Sequence, residues 1–409
     1  MAVIFYGWWI VFASFLIAFY VGGACFFGFT AFFEPIVEEF GWSYTQVSIA
    51  FSLRGLEMGI LAPLVGFLVD RFGPRKLAFS GILIVGSALI FLGLTNSLLI
   101  FYGASVLLAL GTSTCSSTVL MTAVSHWFRR NVGKAMGLVS CGFGAGGILI
   151  PLIVWLIGLY QWRTTLIILG LGMWALGIPL SFVIRHRPEH HGYLPDGEIP
   201  TEIGSSYGGR EKEGESNVKE ALKSRNFWKI GVAEAIRMMI SMAVVTHVMP
   251  YLSSIGMARS RAAFVATFIP LFSIIGRFGF GWLSDIFDKR YVLAGAYCLF
   301  GMGILAFSYI HVMWLIFPFL LLLSPAMGGA VSLRGVIVRE YFGRASFGRV
   351  IGMMLGMGAM GGVIGPSAAG WTFDNLGAYR PVWLFFTGTA VISVVLILRL
   401  KTPGQMSEE

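Results

Sequence analysis

Long apolar segments follow one another along most of the chain, separated by short polar turns. Within each segment the apolar residues are continuous rather than alternating, which is typical of membrane helices and not of membrane strands. Each segment has about 20 residues or more, enough for a helix to cross the roughly 30 Å hydrocarbon core of a bilayer. The sequence therefore predicts an all-α membrane protein. The twelve predicted transmembrane helices are 6–33, 43–70, 76–95, 98–127, 133–160, 163–185, 226–254, 261–285, 291–310, 313–340, 346–373 and 379–399.

A long polar stretch, residues 186–224, interrupts this pattern. It is rich in Gly, Ser, Glu and Lys and poor in large apolar side chains, a composition typical of a flexible linker. We therefore predict an N-terminal six-helix bundle at 1–185, a cytoplasmic linker at 186–224 and a C-terminal six-helix bundle at 225–409.

The two predicted bundles share a pattern of Gly, Pro and charged residues at one fixed offset. Pro35 and Pro250 are 250 − 35 = 215 residues apart, and the same offset relates several further pairs. Matches of this kind at a single offset indicate an internal duplication, and two parallel halves with a binding site between them are a known architecture of membrane carriers. The further pairs are Gly41 and Gly256, Gly66 and Gly281, Asp70 and Asp285, and Arg75 and Arg290.

The composition agrees with a membrane protein and accounts for the positive charge. The 409 residues are 56% hydrophobic and only 12% charged, whereas charged residues make up about 25% of a typical soluble domain. The net charge of +9 comes from basic residues that cluster in alternate loops, and such loops face the cytoplasm. We therefore expect a multi-pass protein of the bacterial inner membrane with both termini in the cytoplasm, and no nucleic-acid partner. The four cysteines lie in apolar segments without metal or redox spacing, so no metal or cofactor is expected.

Arg277 is the residue that points most directly to a ligand. It lies inside an apolar segment, eight residues before Asp285, which places it about 12 Å from the charged end of its helix. A charge at that depth is costly and is expected to face protein or water and to meet an opposite charge. Its counterpart in the first half is Ala62, so the duplication does not account for it. Because a guanidinium matches a carboxylate through two parallel hydrogen bonds, we predict that Arg277 binds an anionic substrate. The alternative is a structural ion pair with a neighbouring helix.

Two pairs of opposite charge lie within other predicted helices. Arg54 and Glu57 in the second helix, like Glu234 and Arg237 in the seventh, are three residues apart, a spacing that places both members on one helical face. Each pair could neutralise itself, or could take part in proton coupling or gating by breaking and re-forming. Both interpretations stay open from the sequence.

Several further residues are candidates for the wall of a substrate cavity. His247 on the seventh helix is a candidate proton site because imidazole titrates near neutral pH, although lone histidines in apolar helices are usually structural. Arg334 lies six residues before Glu340 and could line the cavity or extend to the cytoplasmic surface. The aromatic rings of Phe27 and Tyr251 are candidates for contact with the apolar part of a substrate.

The charged loop after the second helix carries a family resemblance. The loop reads GFLVDRFGPRK at 66–76, and a second copy, GWLSDIFDKR, occurs at 281–290. At these residues the chain resembles the major facilitator superfamily, and YGWW at 6–9 and WFRR at 127–130 resemble its monocarboxylate transporter and oxalate/formate antiporter groups. The resemblance implies two pseudo-symmetric six-helix halves that expose a site alternately to each side of the membrane. It also implies a cytoplasmic gate formed by Asp70, Arg71, Arg75, Asp285 and Arg290.

The same resemblance concerns the substrate-binding residues. Arg277 falls where those transporters carry the arginine of the eighth helix that binds a carboxylate. Ser273, one turn earlier, stands where the animal monocarboxylate carriers have an aspartate, and we include it among the predicted substrate-binding residues. The segment 353–365 lacks the lysine that the oxalate antiporters carry in the eleventh helix.

The function predicted from the sequence is secondary active transport of small monocarboxylates such as lactate or pyruvate, coupled to protons and working by alternating access. Two alternatives stay open. One is oxalate/formate-type anion exchange, and the other is proton-driven efflux of lipophilic compounds through Glu57 or Glu234. The apolar segments hold no combination of nucleophile, base and metal ligands, so an enzyme is not expected. The expected partners are a small organic anion and the lipid bilayer, and the protein is expected to be a monomer.

Overall fold

The computed structural model describes residues 5–115, 117–128, 131–185, 222–342 and 347–400. Most of these residues lie in helices, which we number α1 to α12 in chain order. The predicted linker at 186–224 lies almost entirely outside the described residues, as do the side chains of Arg54, Glu57 and Asp70. The helices are α1 (Tyr6–Phe40), α2 (Tyr44–Phe72), α3 (Pro74–Gly93), α4 (Leu98–Trp127), α5 (132–160), α6 (162–183), α7 (Arg225–Ser254), α8 (Arg259–Ile286), α9 (Lys289–Ser308), α10 (Met313–Phe342), α11 (Phe347–Leu376) and α12 (Arg380–Leu398).

The helices have the lengths that a membrane protein requires. Ten stretches of the described chain are long and apolar enough to cross a bilayer. One of them, Lys134–Val183, has 50 residues and extends over both α5 and α6. Gln161, with a φ of 63°, interrupts the helix and separates the two. α2 has 29 residues, four of them charged, and is the remaining long helix. The predicted all-α membrane class is therefore confirmed, and the described helices are consistent with twelve passages.

The end of α1 differs from the sequence prediction. The predicted first helix ended at residue 33, just before several acidic residues, but the helix continues to Phe40, about two more turns. The structure provides partners for these acidic side chains. Glu34 accepts a hydrogen bond from Ser253 Oγ at 3.1 Å, and Glu39 pairs with Arg163 at 2.8 Å. Their charges are therefore accommodated on the helix instead of ending it.

The turn between α1 and α2 follows from local sequence. Gly41 adopts a φ of 65°, a left-handed conformation that glycine accepts without a steric penalty, and ends α1. Ser43 then accepts a hydrogen bond from the backbone N–H of Gln46, whose side chain accepts in return from the backbone N–H of Ser43. This capping box satisfies two backbone donors at the start of α2.

The bundle has two ends, which we name by the chain segments found there. The termini face carries residues 5, 185, 222 and 400, and the distal face is the opposite end. We call α1–α6 the first half and α7–α12 the second half, whereas the domain boundaries at 185 and 225 stay a prediction. α2 packs along α11, α5 packs against α8 and α1 packs against α7, so these six helices form the seam between the halves.

Hydrogen bonds join the two halves near the distal face. Thr30 Oγ1 on α1 donates to the Thr246 carbonyl on α7 at 2.9 Å, and Arg259 at the start of α8 donates to the Ala31 carbonyl. Asp374 near the end of α11 accepts hydrogen bonds from the first two backbone N–H groups of α2, at 2.9 and 2.7 Å. A carboxylate is favourable there because the N-terminus of a helix carries partial positive charge. The described residues therefore hold the seam closed at the distal face.

Asp374→Asn should favour the conformation that is open at the distal face. The amide lacks the negative charge and has one acceptor oxygen instead of two, so the closed state should become less populated by about tenfold. Ser367 lies in the same seam, where its hydroxyl meets that of Ser52 at 2.8 Å. Labelling of a Ser367→Cys reporter by a membrane-impermeant maleimide, with the four native cysteines replaced by serine, measures the opening.

The matched control is Asp288→Asn, because Asp288 also caps a helix N-terminus but within the second half, where it accepts from the backbone N–H of Arg290 at 2.8 Å. Equal labelling rates in the two variants would show that Asp374 does not hold the halves together.

Candidate functional site

Three charged side chains meet inside the second half. Glu234 and Arg237 lie one turn apart on α7, and Arg334 lies on α10. Glu234 Oε2 accepts a hydrogen bond from Arg237 Nε at 2.8 Å. Glu234 Oε1 accepts from both Arg237 Nη2 at 2.6 Å and Arg334 Nη1 at 2.7 Å. One carboxylate thus faces two guanidiniums, which leaves this group with a net charge of 2 − 1 = +1.

The members of this charged group differ in burial. The Glu234 and Arg237 side chains are only 1% and 3% exposed, whereas the Arg334 side chain is 16% exposed. Arg237 also contacts the Tyr297 hydroxyl of α9, so its donors are well used. Arg334 makes one hydrogen bond to Glu234, and its buried Nε has no acceptor. Arg237 is therefore fixed in the core of the second half, while Arg334 retains unused donors.

Arg277 lies on α8, nine residues before the helix ends at Ile286, or about 13 Å from that end. Its Nη1 donates to the Ser140 carbonyl of α5 at 3.2 Å, and its buried Nε has no acceptor. No carboxylate among the described side chains lies within ion-pair distance of it. Arg237 is near enough for the two positive charges to repel each other. The Arg277 guanidinium is thus partly buried without a neutralising partner in the described part of the chain.

The contact between Arg277 and Ser140 marks one end of the seam. Of the hydrogen bonds that described residues form between the halves, it lies nearest the termini face. Towards the distal face, Gly147 of α5 packs directly against Pro270 of α8. Arg277 therefore forms the described hydrogen bond between the halves that lies nearest the termini face.

Aromatic rings lie close to the carbonyl that Arg277 contacts. Phe143 is one turn after Ser140 on α5, and its ring centroid is 5.5 Å from that of Phe27 on α1. Phe26 contacts both rings, with centroid distances of 4.9 and 5.3 Å. The first half thus places an apolar aromatic cluster beside the partner of Arg277.

Ser273 and Tyr251 use their hydroxyl groups within the second half. Ser273 Oγ donates to the Pro270 carbonyl of its own helix at 2.7 Å. The Tyr251 hydroxyl donates to the Phe307 carbonyl at 3.1 Å. Neither side chain makes a described hydrogen bond to Arg277, although Ser273 lies one turn before it on α8, and the predicted binding role of both residues stays a prediction.

His247 lies in the seam near the distal face and is fully buried. Its Nε2 is 3.0 Å from both the Ser48 hydroxyl and the Pro366 carbonyl, and its Nδ1 is 3.0 Å from the Tyr379 hydroxyl. The imidazole therefore joins α2 to the second half and is not part of the Arg277 group. Its predicted role as a proton site stays a prediction.

The predicted gate residues lie at the termini face. Arg71 and Arg75 are exposed and lie over aromatic rings of the first half, at 5.4 and 5.2 Å from the ring centroids. Asp285 is exposed, and Arg290 Nη1 donates to the Leu400 carbonyl at 2.8 Å. The described contacts of these residues are thus within their own halves. The side chain of Asp70, the fifth predicted gate residue, lies outside the described residues.

Sequence reasoning missed several residues that the structure brings into these contacts, and four of them show why. Ser140 takes part only through its backbone carbonyl, which has no sequence signature. Tyr297 and Ser48 are neutral hydroxyl residues among many others in apolar helices. Asp374 did carry a signal, because it is an acidic residue close to the end of a membrane helix, three residues before Gly377.

Comparison with known families decides the wider identity. The Major Facilitator Superfamily matches residues 9–276 and 235–409, which together cover nearly the whole chain. The chain belongs to this superfamily. It is therefore a membrane transporter and not an enzyme, and the resemblance predicted from the charged loop is confirmed.

Solved structures share the fold of this transporter. A bacterial homologue of the human lysosomal transporter Spinster, in an inward-facing and unoccupied conformation, has a TM-score of 0.74 at 16% identity and covers 97% of this chain and 95% of its own. The nucleoside transporter NupG has a TM-score of 0.75 at 12% identity and covers 96% of this chain and 99% of its own. At these identities the likeness establishes the fold alone.

Two relatives of this transporter have names that refer to organic anions. Monocarboxylate transporter 12 of Mus musculus is 24% identical over 415 residues, covering 96% of this chain and 85% of the relative. The oxalate:formate antiporter of Oxalobacter formigenes is 24% identical, covering 90% of this chain and 86% of the relative. These are the two groups to which the sequence motifs pointed.

Proposed function

We propose that this transporter carries small monocarboxylates by alternating access, with Arg277 as the residue that binds the substrate carboxylate. The observation that carries the proposal is the Arg277 guanidinium itself, which is partly buried, has no described carboxylate partner and retains an unused Nε donor. Such a side chain in a membrane helix is expected to meet an anion. Both the monocarboxylate and the oxalate:formate relatives support a carboxylate as that anion.

The surroundings of Arg277 suit a small carboxylate with a short hydrocarbon part. The carboxylate would bind the guanidinium, and the ring cluster of Phe26, Phe27 and Phe143 would contact the apolar part. Arg334 would supply a second positive charge. Ser273, Tyr251 and His247 make no described hydrogen bond to Arg277 or Arg334, and their part in substrate binding stays a prediction.

The orientation of the protein and the membrane potential determine the energetic cost of anion uptake. The basic loops favour a cytoplasmic termini face, so the state described here would be closed to the outside of a bacterial inner membrane. Moving an anion into a negative interior costs about 2.3 kcal/mol per 100 mV. Uptake together with one proton removes this cost, and we therefore propose proton coupling.

Anion exchange is the second candidate, and the net positive charge of the site favours it. Arg237 and Arg334 are bound to the Glu234 carboxylate, whereas Arg277 has no described carboxylate partner, so these four groups together carry 3 − 1 = +2 when no anion is bound. A site with that charge would close more easily with an anion bound than empty. The carrier would then carry an anion in each direction, as exchange requires. Efflux of lipophilic compounds is less well supported, because Glu234 is already bound by two guanidiniums and is not a free acid.

Transport in proteoliposomes tests the proposal. We expect uptake of at least one of radiolabelled lactate, pyruvate, formate and oxalate. A pH gradient, acidic on the side of addition, should accelerate this uptake if protons are coupled. Preloading with the same unlabelled anion should accelerate it if exchange dominates. Absence of uptake of all four anions under both conditions would contradict carboxylate transport.

A further inference from the structure

The two arginines that share Glu234 are held in different ways. Arg237 lies on the same helix as Glu234, makes two hydrogen bonds to it at 2.8 and 2.6 Å and is 3% exposed. Arg334 comes from another helix, makes one hydrogen bond at 2.7 Å and is 16% exposed. Because Glu234 and Arg237 are both buried, separating them would leave an uncompensated charge. Of the two arginines, Arg334 is therefore the one that can leave Glu234.

Arg334 and Arg277 lie on helices in direct backbone contact. Gly276, next to Arg277 in sequence, packs against the Pro325 carbonyl of α10, and Gly328 of α10 packs against the Ser273 carbonyl of α8. Such contact is possible because glycine has no side chain to separate the helices. Each of the two guanidiniums retains a buried Nε without an acceptor. Two cations with unused donors thus lie on adjacent, closely packed helices.

From this arrangement we propose that Glu234 is an internal substitute for the carboxylate of the substrate. In the empty site its Oε1 accepts the hydrogen bond of Arg334. When an anion binds, Arg334 moves from Glu234 to the anion, so that Arg334 and Arg277 bind it together while Arg237 keeps Glu234 neutralised. The proposal rests on the proposed function, since it requires an anionic substrate.

This role of Glu234 has a consequence for the return of the empty carrier. Alternating access requires the site to close, and closing it removes water from the Arg277 and Arg334 guanidiniums, which join the already buried Arg237. With Glu234 present the empty site carries +2, and without it the charge rises to +3. Burial of unpaired charge is costly, so Glu234 lowers the cost of closing the empty site. A bound anion provides a negative charge in the same place, so the loaded carrier depends on Glu234 much less.

Glu234→Gln is the decisive variant. It keeps the size of the side chain and one acceptor oxygen for Arg237, but it removes the charge that competes for Arg334. We expect tighter anion binding, by about tenfold, and net efflux into anion-free buffer slowed by about tenfold or more. Exchange of internal labelled anion for external unlabelled anion should stay within about threefold of the wild type. The probe is whichever of lactate, pyruvate, formate and oxalate the wild-type protein transports.

The matched control is Glu340→Gln, which removes a carboxylate from the partly exposed ion pair with Lys289 at 3.0 Å. It should leave the ratio of net efflux to exchange unchanged. Equal loss of both modes in Glu234→Gln, or no change in either, would overturn the proposal. The size-exclusion elution volume and the thermal midpoint of the purified variants show whether the fold is retained.

Arg334→Gln keeps the proposal testable if Glu234→Gln does not fold. This variant leaves the buried Glu234–Arg237 pair intact, and anion affinity should fall by about tenfold because one of two binding cations is lost. Unchanged affinity would show that Arg334 does not bind the anion. These outcomes differ from failure of the proposed function, in which the wild-type protein itself would neither bind nor transport a carboxylate.

Discussion

Arg277→Gln is expected to reduce uptake of a transported carboxylate by at least about 100-fold, because it removes two charge-assisted hydrogen bonds to the anion. Glutamine keeps much of the side-chain length and one N–H₂ donor group. The loss of uptake would therefore come from the missing charge and paired donors of the guanidinium, not from an empty space. Arg277→Lys should restore part of the uptake, because it keeps the charge but not the paired donors. Initial rates of uptake into proteoliposomes, over a range of substrate concentrations, measure both effects.

Arg261→Gln provides the control for Arg277. Arg261 lies on the same helix, near the distal face, and is exposed, so its loss should leave uptake within about twofold, as is usual for exposed charges. Full uptake of a confirmed carboxylate by Arg277→Gln would show that the guanidinium serves packing against Ser140 and not the substrate.

Arg237→Met should destabilise the protein strongly. Arg237 makes two of the three described hydrogen bonds to Glu234, and both side chains are almost completely buried. Removal of one member of a buried ion pair typically costs about 3–5 kcal/mol. Methionine fills a similar volume, so the loss would come from the charge left on Glu234. The thermal midpoint of the purified protein in one fixed detergent measures the effect.

Lys289→Met is the comparison for that loss. Lys289 pairs with Glu340 at 3.0 Å, but both side chains are 34% exposed, and exposed pairs contribute about 0–1 kcal/mol. We expect a small change in thermal midpoint for Lys289→Met and a much larger one for Arg237→Met. Similar midpoints for the two variants would mean that water reaches Glu234 and Arg237 despite their burial.

The membrane class was readable from the sequence because hydrocarbon imposes one strong condition on the chain. Backbone polar groups must be satisfied within each helix, so long apolar runs predicted helices from end to end. Boundaries were less certain where polar residues had partners elsewhere in the structure. The predicted end of α1 at residue 33 left out Glu34 and Glu39, whose partners Ser253 and Arg163 come from helices far along the chain.

The candidate site was only partly predictable, for a similar reason. Arg277 could be identified alone, because an isolated charge in an apolar run is costly wherever its helix packs. The spacing of Glu234 and Arg237 suggested contact, since residues three apart share a helical face. Arg334 joins them through a carboxylate on another helix, 100 residues earlier in the chain. Helical periodicity carries no information about such a partner.

The closed distal face offers a target that exists in one conformation only. Asp374 of the second half and the backbone of Tyr44 and Thr45 in the first half lie next to each other there. A nanobody that recognised both segments at once would bind this conformation and would have to dissociate before the halves could separate. Such a binder would inhibit transport without entering the substrate site, and its affinity would not depend on which anion the transporter carries.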